Sequence, residues 1–369
     1  MSRGLVAAVL PPNEGFSPEA AGAIGLMVQR TGAYEGAAFR TVVLGAPLGY
    51  AAFAAPEYQP VRPPPWLPAS RTARYAWGVS RALRRLRPDL IEVHNRPQVA
   101  LALAARFPST PVALFLHNDP QTMRGMAAPA GRARLRRLAR VLAVSPYVRD
   151  RLLEGVTGGW AARPAVVPNC IAVASVPPPV PPPSRERVFL FAGRLVPEKG
   201  AGSFVEACAQ VLPGLPGWRA EIIGAKRLRP GATADSYSAS LCSAARLAGV
   251  QASGYRPHAA VMDAMARAAV VVVPSRWPEP FGLTALEAMA GGGALICSSQ
   301  GNLPELVRDA AVLVPPGDAG ALAAAMRALA LDEPRRAALG AAGLARAGAF
   351  DIKLGTAALD QVRGEILGL

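Results

Sequence analysis

Glu279 and Glu287 stand eight positions apart in the run Trp277-Pro278-Glu279-Pro280-Phe281-Gly282-Leu283-Thr284-Ala285-Leu286-Glu287. Carboxylates accept hydrogen bonds from neighbouring hydroxyls, so two of them beside one turn suit a ribose and a second sugar. Pro278 and Pro280 hold Glu279 in extended backbone, and Gly282 lets a ligand come close to the chain. The spacing predicts a helix from about Leu283 to the triple glycine 291–293, whose first N–H groups, Phe281 to Thr284, would face an anion. Upstream, Gly193-Arg194-Leu195-Val196-Pro197-Glu198-Lys199-Gly200 places Arg194 and Lys199 in a turn before another helix, where two cations could grip a diphosphate. On spacing alone a solvated basic loop fits that stretch equally well, and caps or solvated acids fit the two glutamates.

In the first half, His117 follows the apolar run Val112 to Leu116 directly, and His94-Asn95-Arg96 follows Leu90 to Val93 in the same way. Histidine at such a place is suited to positioning or polarising a reacting group, although a lone histidine is often structural.

These residues need elements to position them. Leu5 to Leu10, Thr41 to Leu44, Leu90 to Val93, Val112 to Leu116, Val141 to Val144 and Ala165 to Val167 are short apolar runs closed by Pro, Gly, Asn or Ser. The second half repeats the pattern at Val188 to Ala192, Ala220 to Ile223, Val250 to Ser253, Val270 to Val273, Ala294 to Cys297 and Ala311 to Val314. Such runs read as buried parallel strands, and the segments between them are long enough for crossover helices. The fold class is therefore α/β, with two doubly wound domains. The first is expected over 1–176, a stiff linker over the proline-rich 177–183, and the second over 184–350. A final helix over about 351–369 is a candidate to pack back on the first domain. Ligands in such folds sit at the carboxyl ends of the strands, where the residues above fall.

Composition narrows the class. The chain has 369 residues, 51% of them hydrophobic, which excludes a disordered or fibrous protein. Four cysteines stand far apart with no C-x-x-C pair, so neither a zinc site nor a disulfide framework is expected and a reducing cytosol fits. No stretch offers 18 uncharged apolar residues, so no membrane span is expected. The formal charge is +15, and most of it lies before the proline tract: 21 Arg against nine acids, whereas the remainder has 19 Lys and Arg against 16 acids.

The E-x7-E pattern of Glu279 and Glu287, with Phe191-Ala192-Gly193-Arg194-Leu195-Val196-Pro197-Glu198-Lys199-Gly200, Val167-Pro168-Asn169 and Leu303-Pro304-Glu305-Leu306, resembles the GT-B retaining glycosyltransferases of family 4, over essentially the whole chain. The His-Asn-Arg-Pro and His-Asn-Asp-Pro segments are similar to a spore-coat and polysaccharide-type subgroup. The resemblance implies two Rossmann-like domains facing a central cleft. It implies a nucleoside-diphosphate sugar donor, UDP-sugar favoured, and a saccharide or lipid-linked acceptor in cell-envelope polysaccharide or lipopolysaccharide synthesis. It also implies Arg194 and Lys199 on the donor diphosphate, Glu287 on the ribose, Glu279 on the sugar, and the amides of Phe281, Gly282 and Leu283 on sugar and phosphate. Gly193, Gly254 and Tyr255 would line the donor, His117 the reaction centre, and His94, Asn95 and Arg96 the acceptor side. The family's Gly-Gly turn corresponds to Ala21-Gly22, with Ala in the first position, so the donor role of Gly22 stands apart from the family pattern. No two aspartates lie two positions apart, so no D-x-D metal motif is present; no cofactor and no catalytic metal are expected.

Arg71, Arg74, Arg81, Arg84, Arg85 and Arg87, and then Arg132, Arg134, Arg136, Arg137 and Arg140, read as two amphipathic helices with basic faces. They point to an acidic or membrane-held acceptor, and to a cytoplasmic protein with contact to an anionic membrane at its inner face as one expectation. An Arg-rich proteome would give the same bias. Two other readings stay open: a nucleotide-sugar epimerase or hydrolase on the same fold, and, less well supported, a nucleic-acid-binding protein. The second would leave the E-x7-E segment unexplained, and nucleic acid is not an expected partner.

Overall fold

The computed structural model describes residues 4–19, 21–66, 69–226 and 236–369. The chain folds as two units, Met1–Ile171 with Ile352–Leu369, and Ala172–Asp351. Within the first, β1 (Leu5–Val9), β2 (Arg40–Gly45), β3 (Glu57–Pro60), β4 (Leu90–His94), β5 (Val112–Leu116), β6 (Arg140–Ala143) and β7 (Ala165–Val166) form one sheet of order β3-β2-β1-β4-β5-β6-β7. Within the second, β8 (Glu186–Ala192), β9 (Arg219–Ile223), β10 (Val250–Ala252), β11 (Ala268–Val273), β12 (Ala294–Ser298) and β13 (Ala311–Val314) run in the order β10-β9-β8-β11-β12-β13. Every pairing is parallel. Each sheet therefore has a switch point, β1/β4 in one and β8/β11 in the other, where successive connections depart to opposite sides and leave room at the carboxyl ends.

The crossover helices of the first unit are α1 (Ala23–Ala33), α2 (Arg71–Leu86), α3 (Pro97–Arg106), α4 (Pro129–Ala133) and α5 (Pro146–Leu153). Those of the second are α6 (Ala201–Val211), α7 (Ser236–Leu247), α8 (His258–Arg267), α9 (Leu283–Ala290), α10 (Leu303–Val307), α11 (Ala319–Leu331) and α12 (Glu333–Gly348). The last helix, α13 (Ile352–Leu367), belongs to the first unit and packs on α1. Both faces of each sheet are covered, so the strands are apolar along their length rather than alternating. In the second unit Phe189, Val270 and Ile296 meet Phe204 of α6 and Met326 of α11 on one side, while α9 and α12 pack together on the other. Each such fully buried side chain contributes about 1.5–3 kcal/mol of transfer free energy.

Two features add to the sequence reading and one expectation is corrected. β3 is an additional edge strand: Glu57-Tyr58-Gln59-Pro60 is polar and ends in proline, which an edge position tolerates because one side needs no ladder bond. The proline-rich residues 177–183 lie in the second unit, where Val180 N donates to Ala266 O at 3.2 Å. The arginines from 132 to 140 do not form an amphipathic helix. They span the five-residue α4, a single 3-10 turn at Arg134–Arg137 and the start of β6, because Arg132 turns inward onto backbone carbonyls.

The turn after β8 is closed by Gly200, which has φ +73°; a Cβ built there would lie 1.8 Å from Pro274 O at the end of β11. That close approach seats the Gly193–Gly200 loop against the loop carrying Glu279. Gly200→Ala is expected to lower the unfolding free energy by about 2 kcal/mol or more, seen as an earlier urea midpoint at unchanged slope.

Candidate active site

The sequence-derived candidates lie at or past the carboxyl ends of strands, apart from Gly22, the N-cap of α1, and from Gly282, Leu283 and Glu287, which are the N-cap of α9, its first residue and a residue one turn into it.

In the second unit, Lys199 Nζ stands 2.6 Å from Glu279 Oε1, and Ser275 Oγ donates to the same oxygen at 2.5 Å. The ammonium also lies 5.7 Å from the centre of the Trp277 ring. Glu279 is only 6% exposed, so its charge depends on these partners. The structure thus brings together a cation assigned to a diphosphate and a carboxylate assigned to a sugar. Arg194 is exposed on the same loop, whose Gly193 N donates to Ile223 O at the end of β9 at 3.0 Å. Gly282 N-caps α9 in left-handed backbone, leaving the amides of Leu283 and the following residues at the open helix end without a side-chain cap. Glu287 is 6% exposed, and its Oε1 lies 2.8 Å from His258 Nε2. Gly254 O accepts Gly224 N at 2.8 Å, which places Tyr255, half-buried, after β10.

Sequence reasoning missed the supports of this half: Ser275, His258 and Asn302. Asn302 N donates to Glu279 O at 2.8 Å and its Nδ2 to Phe281 O at 3.1 Å, so the turn after β12 holds the Glu279 loop in shape. Gly301 beside it has φ +64°, and a Cβ there would lie 2.4 Å from Glu279 N. A glycine–asparagine pair closing a strand was the available signal.

In the first unit the two histidines are one system. His94 Nδ1 and His117 Nε2 are 2.9 Å apart. Glu92 Oε1 lies 3.1 Å from His94 Nε2, off the line of a good hydrogen bond and so an electrostatic contact. Arg363 of α13 then meets Glu92 with two bonds, Nε to Oε2 at 3.1 Å and a terminal nitrogen to Oε1 at 3.2 Å. Burial opposes the Glu92 charge, but Arg363 and then His94 outweigh it and hold the carboxyl well below the usual carboxylate range. Burial, and then the neighbouring His94, push His117 well below the ordinary histidine value, so it is neutral at pH 7. Asn95, at φ +56°, accepts the backbone N–H of His117 at 3.1 Å and of Asn118 at 3.3 Å. Arg96 is half-buried, with one guanidinium nitrogen 3.2 Å from Asn95 O.

Gly22 is accompanied by a residue that sequence reasoning passed over. Glu14, in the loop after β1, places Oε1 2.9 Å from Gly25 N and lies over the start of α1. Burial raises its pKa, against the amides of Gly25 and Gly22 and the charges of His94 and Arg96. The helix end expected to meet a donor phosphate carries a carboxylate here.

Comparison with known proteins shows the family and the fold. The family model described as Glycosyltransferase Family 4 matches residues 36–175, and that described as Glycosyl transferases group 1 matches residues 176–346. A lipopolysaccharide core biosynthesis mannosyltransferase of Rhizobium meliloti is 33% identical over 168 residues, 44% of this chain and 47% of that protein. A glycogen synthase of Mycobacterium tuberculosis is 28% identical over 69% of this chain and 63% of its own length. An exopolysaccharide phosphotransferase of Streptomyces coelicolor is 28% identical over 69% of this chain but only 26% of its own length. The chain thus spans between about a quarter and two thirds of these relatives. Among solved structures, sucrose-phosphate synthase of Thermosynechococcus elongatus superposes with a TM-score of 0.79 at 20% identity, covering 99% of this chain and 100% of that one. HepE of Anabaena, in complex with UDP and glucose, gives 0.76 at 20% identity over 98% and 99%. These likenesses show the GT-B fold.

Two outcomes follow from the first-unit geometry. Arg363→Met leaves Glu92 charged and buried, and is expected to cost about 3–5 kcal/mol in denaturant unfolding, most of it recovered in Glu92→Gln/Arg363→Met. Glu14 has a raised pKa, so its stabilising share is full at low pH and is lost as pH rises through that value. Glu14→Gln keeps an oxygen for the Gly25 amide. Its melting temperature is expected to match wild type near pH 4 and to exceed it increasingly toward pH 7.

Proposed function

The chain belongs to the glycosyltransferases of group 1 and family 4, and on that premise we propose that it moves a sugar from a nucleoside-diphosphate sugar to a saccharide or lipid-linked acceptor with retention of anomeric configuration. The observation that carries this reading is the Lys199–Glu279 pair at the β8/β11 switch point, with Glu287 one turn into α9. UDP is the favoured nucleotide; structures of HepE, which has the same fold, contain UDP and UDP-glucose.

Breaking the bond between the anomeric carbon and the diphosphate oxygen leaves negative charge on the phosphate and oxocarbenium character on the sugar. Lys199, with Arg194 and the N-terminus of α9, offsets the first charge. That arrangement needs no catalytic metal, in keeping with the lack of a D-x-D motif. Glu279 accepts donor-sugar hydroxyls and Glu287 the ribose hydroxyls, which requires Glu287 to exchange His258 for them. No carboxylate is assigned as a nucleophile. The acceptor oxygen attacks from the face the diphosphate leaves, and the departing phosphate oxygen takes the acceptor proton. Neutral His117 then donates or accepts a hydrogen bond at the reaction centre without acting as a base, and His94 fixes its ring. Family relatives in lipopolysaccharide core and glycogen synthesis support a polysaccharide or lipopolysaccharide setting. A cytoplasmic protein, in contact with the inner face of the membrane, suits such an acceptor.

A UDP-sugar at a hundredfold excess over its Kd is expected to stabilise the protein by about 2.7 kcal/mol, read as a raised melting temperature larger than for GDP- and ADP-sugars. Glu279→Ala and His117→Ala are expected to lower kcat more than donor affinity, and Lys199→Ala to weaken both. Transfer at the wild-type rate by Lys199→Ala/Arg194→Ala would overturn the assignment.

A further inference from the structure

The two arginine clusters of the first unit, alike in sequence, have different fates. In the second cluster Arg132 is 2% exposed and spends its guanidinium on the carbonyls of Leu152, Met126, Ala127 and Glu154. Arg136 donates to Thr157 O and to Gly158 O, and Arg140 to Glu365. In the first cluster, Arg71 and Arg74 at the start of α2 face an open cavity of about 790 Å³ together with Arg96, Arg124, Asn95 and Asn118. Among its described lining residues there is no carboxylate. Arg74 and Arg96 give single bonds to the carbonyls of Pro65 and Asn95, at 3.1 and 3.2 Å, which orient them and leave most of their donors over. Asn95 and Asn118 join this cavity to His117 through the shared Asn95 Oδ1.

A concave surface lined by four cations, of which only Arg96 has an acid near it, Glu14 outside the lining, concentrates anions, and guanidinium forks match the oxygens of a phosphate. The other anion receptor of this unit, the start of α1, already carries Glu14. We propose that this cavity binds a phosphate ester carried by the acceptor, held by Arg71, Arg74, Arg96 and Arg124, so that the substrate is a phosphorylated saccharide or a saccharide on a phosphate-bearing lipid. Placing it as an acceptor site rests on the reading that the first unit receives the acceptor; the anion chemistry itself does not.

The probe is inorganic pyrophosphate, titrated calorimetrically into Lys199→Ala, which weakens the grip proposed for the donor diphosphate and leaves Arg194 common to both proteins compared. The same titration is made with Lys199→Ala/Arg71→Gln/Arg124→Gln, circular dichroism and melting temperature being checked in both. Binding by the first protein that weakens at least tenfold in the second is the expected result. Equal binding in the two, or none in the first, overturns the proposal. Sedimentation with phosphatidylglycerol against phosphatidylcholine vesicles then separates the sources: capture by the former alone, lost in Arg71→Gln/Arg124→Gln, assigns a lipid phosphate, and no capture assigns a soluble phosphosugar. A wild-type protein with no UDP-induced melting shift but Arg-dependent pyrophosphate binding would undo the donor reading and leave this one standing.

Discussion

A parallel strand covered on both faces cannot carry charge without a partner, and this constraint shapes the molecule. It makes the strands apolar, it confines polar chemistry to their carboxyl ends, and it makes each exception informative. β4 is such an exception: Glu92 and His94 point from a strand in which every residue is buried. The charge of Glu92 is matched by the guanidinium of Arg363 on α13, itself 2% exposed and 271 positions along the chain. The last helix therefore does more than close the first unit. It supplies the cation that lets a carboxylate stand behind the histidine pair.

The two units answer the same electrostatic demand in opposite ways. In the second unit, Glu279 is neutralised by Lys199 at the end of a neighbouring strand and steadied by Ser275, all within one cluster of loops. In the first unit the charges are set back: Arg363 and Glu92 lie inside, and His117, just past the carboxyl end of β5, is held neutral by burial and by His94.

Among the described residues, twelve of the thirteen strands were legible because apolar runs closed by turn residues have few other readings. β3 was not, since an edge strand with a polar face and a terminal proline looks like a loop. The loops carrying Arg194, Lys199, Glu279 and Glu287 were legible from residue type and spacing. Their supports were not. Ser275, His258 and Asn302 act through single bonds to partners fixed only by the tertiary fold, and Glu92 reads in sequence as one acid inside Leu90-Ile91-Glu92-Val93.

Arginine shows most sharply where sequence stops being informative. A guanidinium has five N–H donors in a fixed plane, and what they point at decides its role, while its charge stays the same. Arg132 directs its donors to four carbonyls and so acts as a clamp joining α4 to the end of α5 and the loop beyond it. Arg71 and Arg124 are exposed at a cavity that offers them no acid. The excess of 21 arginines over nine acids before the proline tract therefore contains two populations, one that builds the unit and one that lines an open cavity. Net charge sums them. Only the direction of the donors separates them, and that direction is set by loop carbonyls with no signature of their own in the sequence.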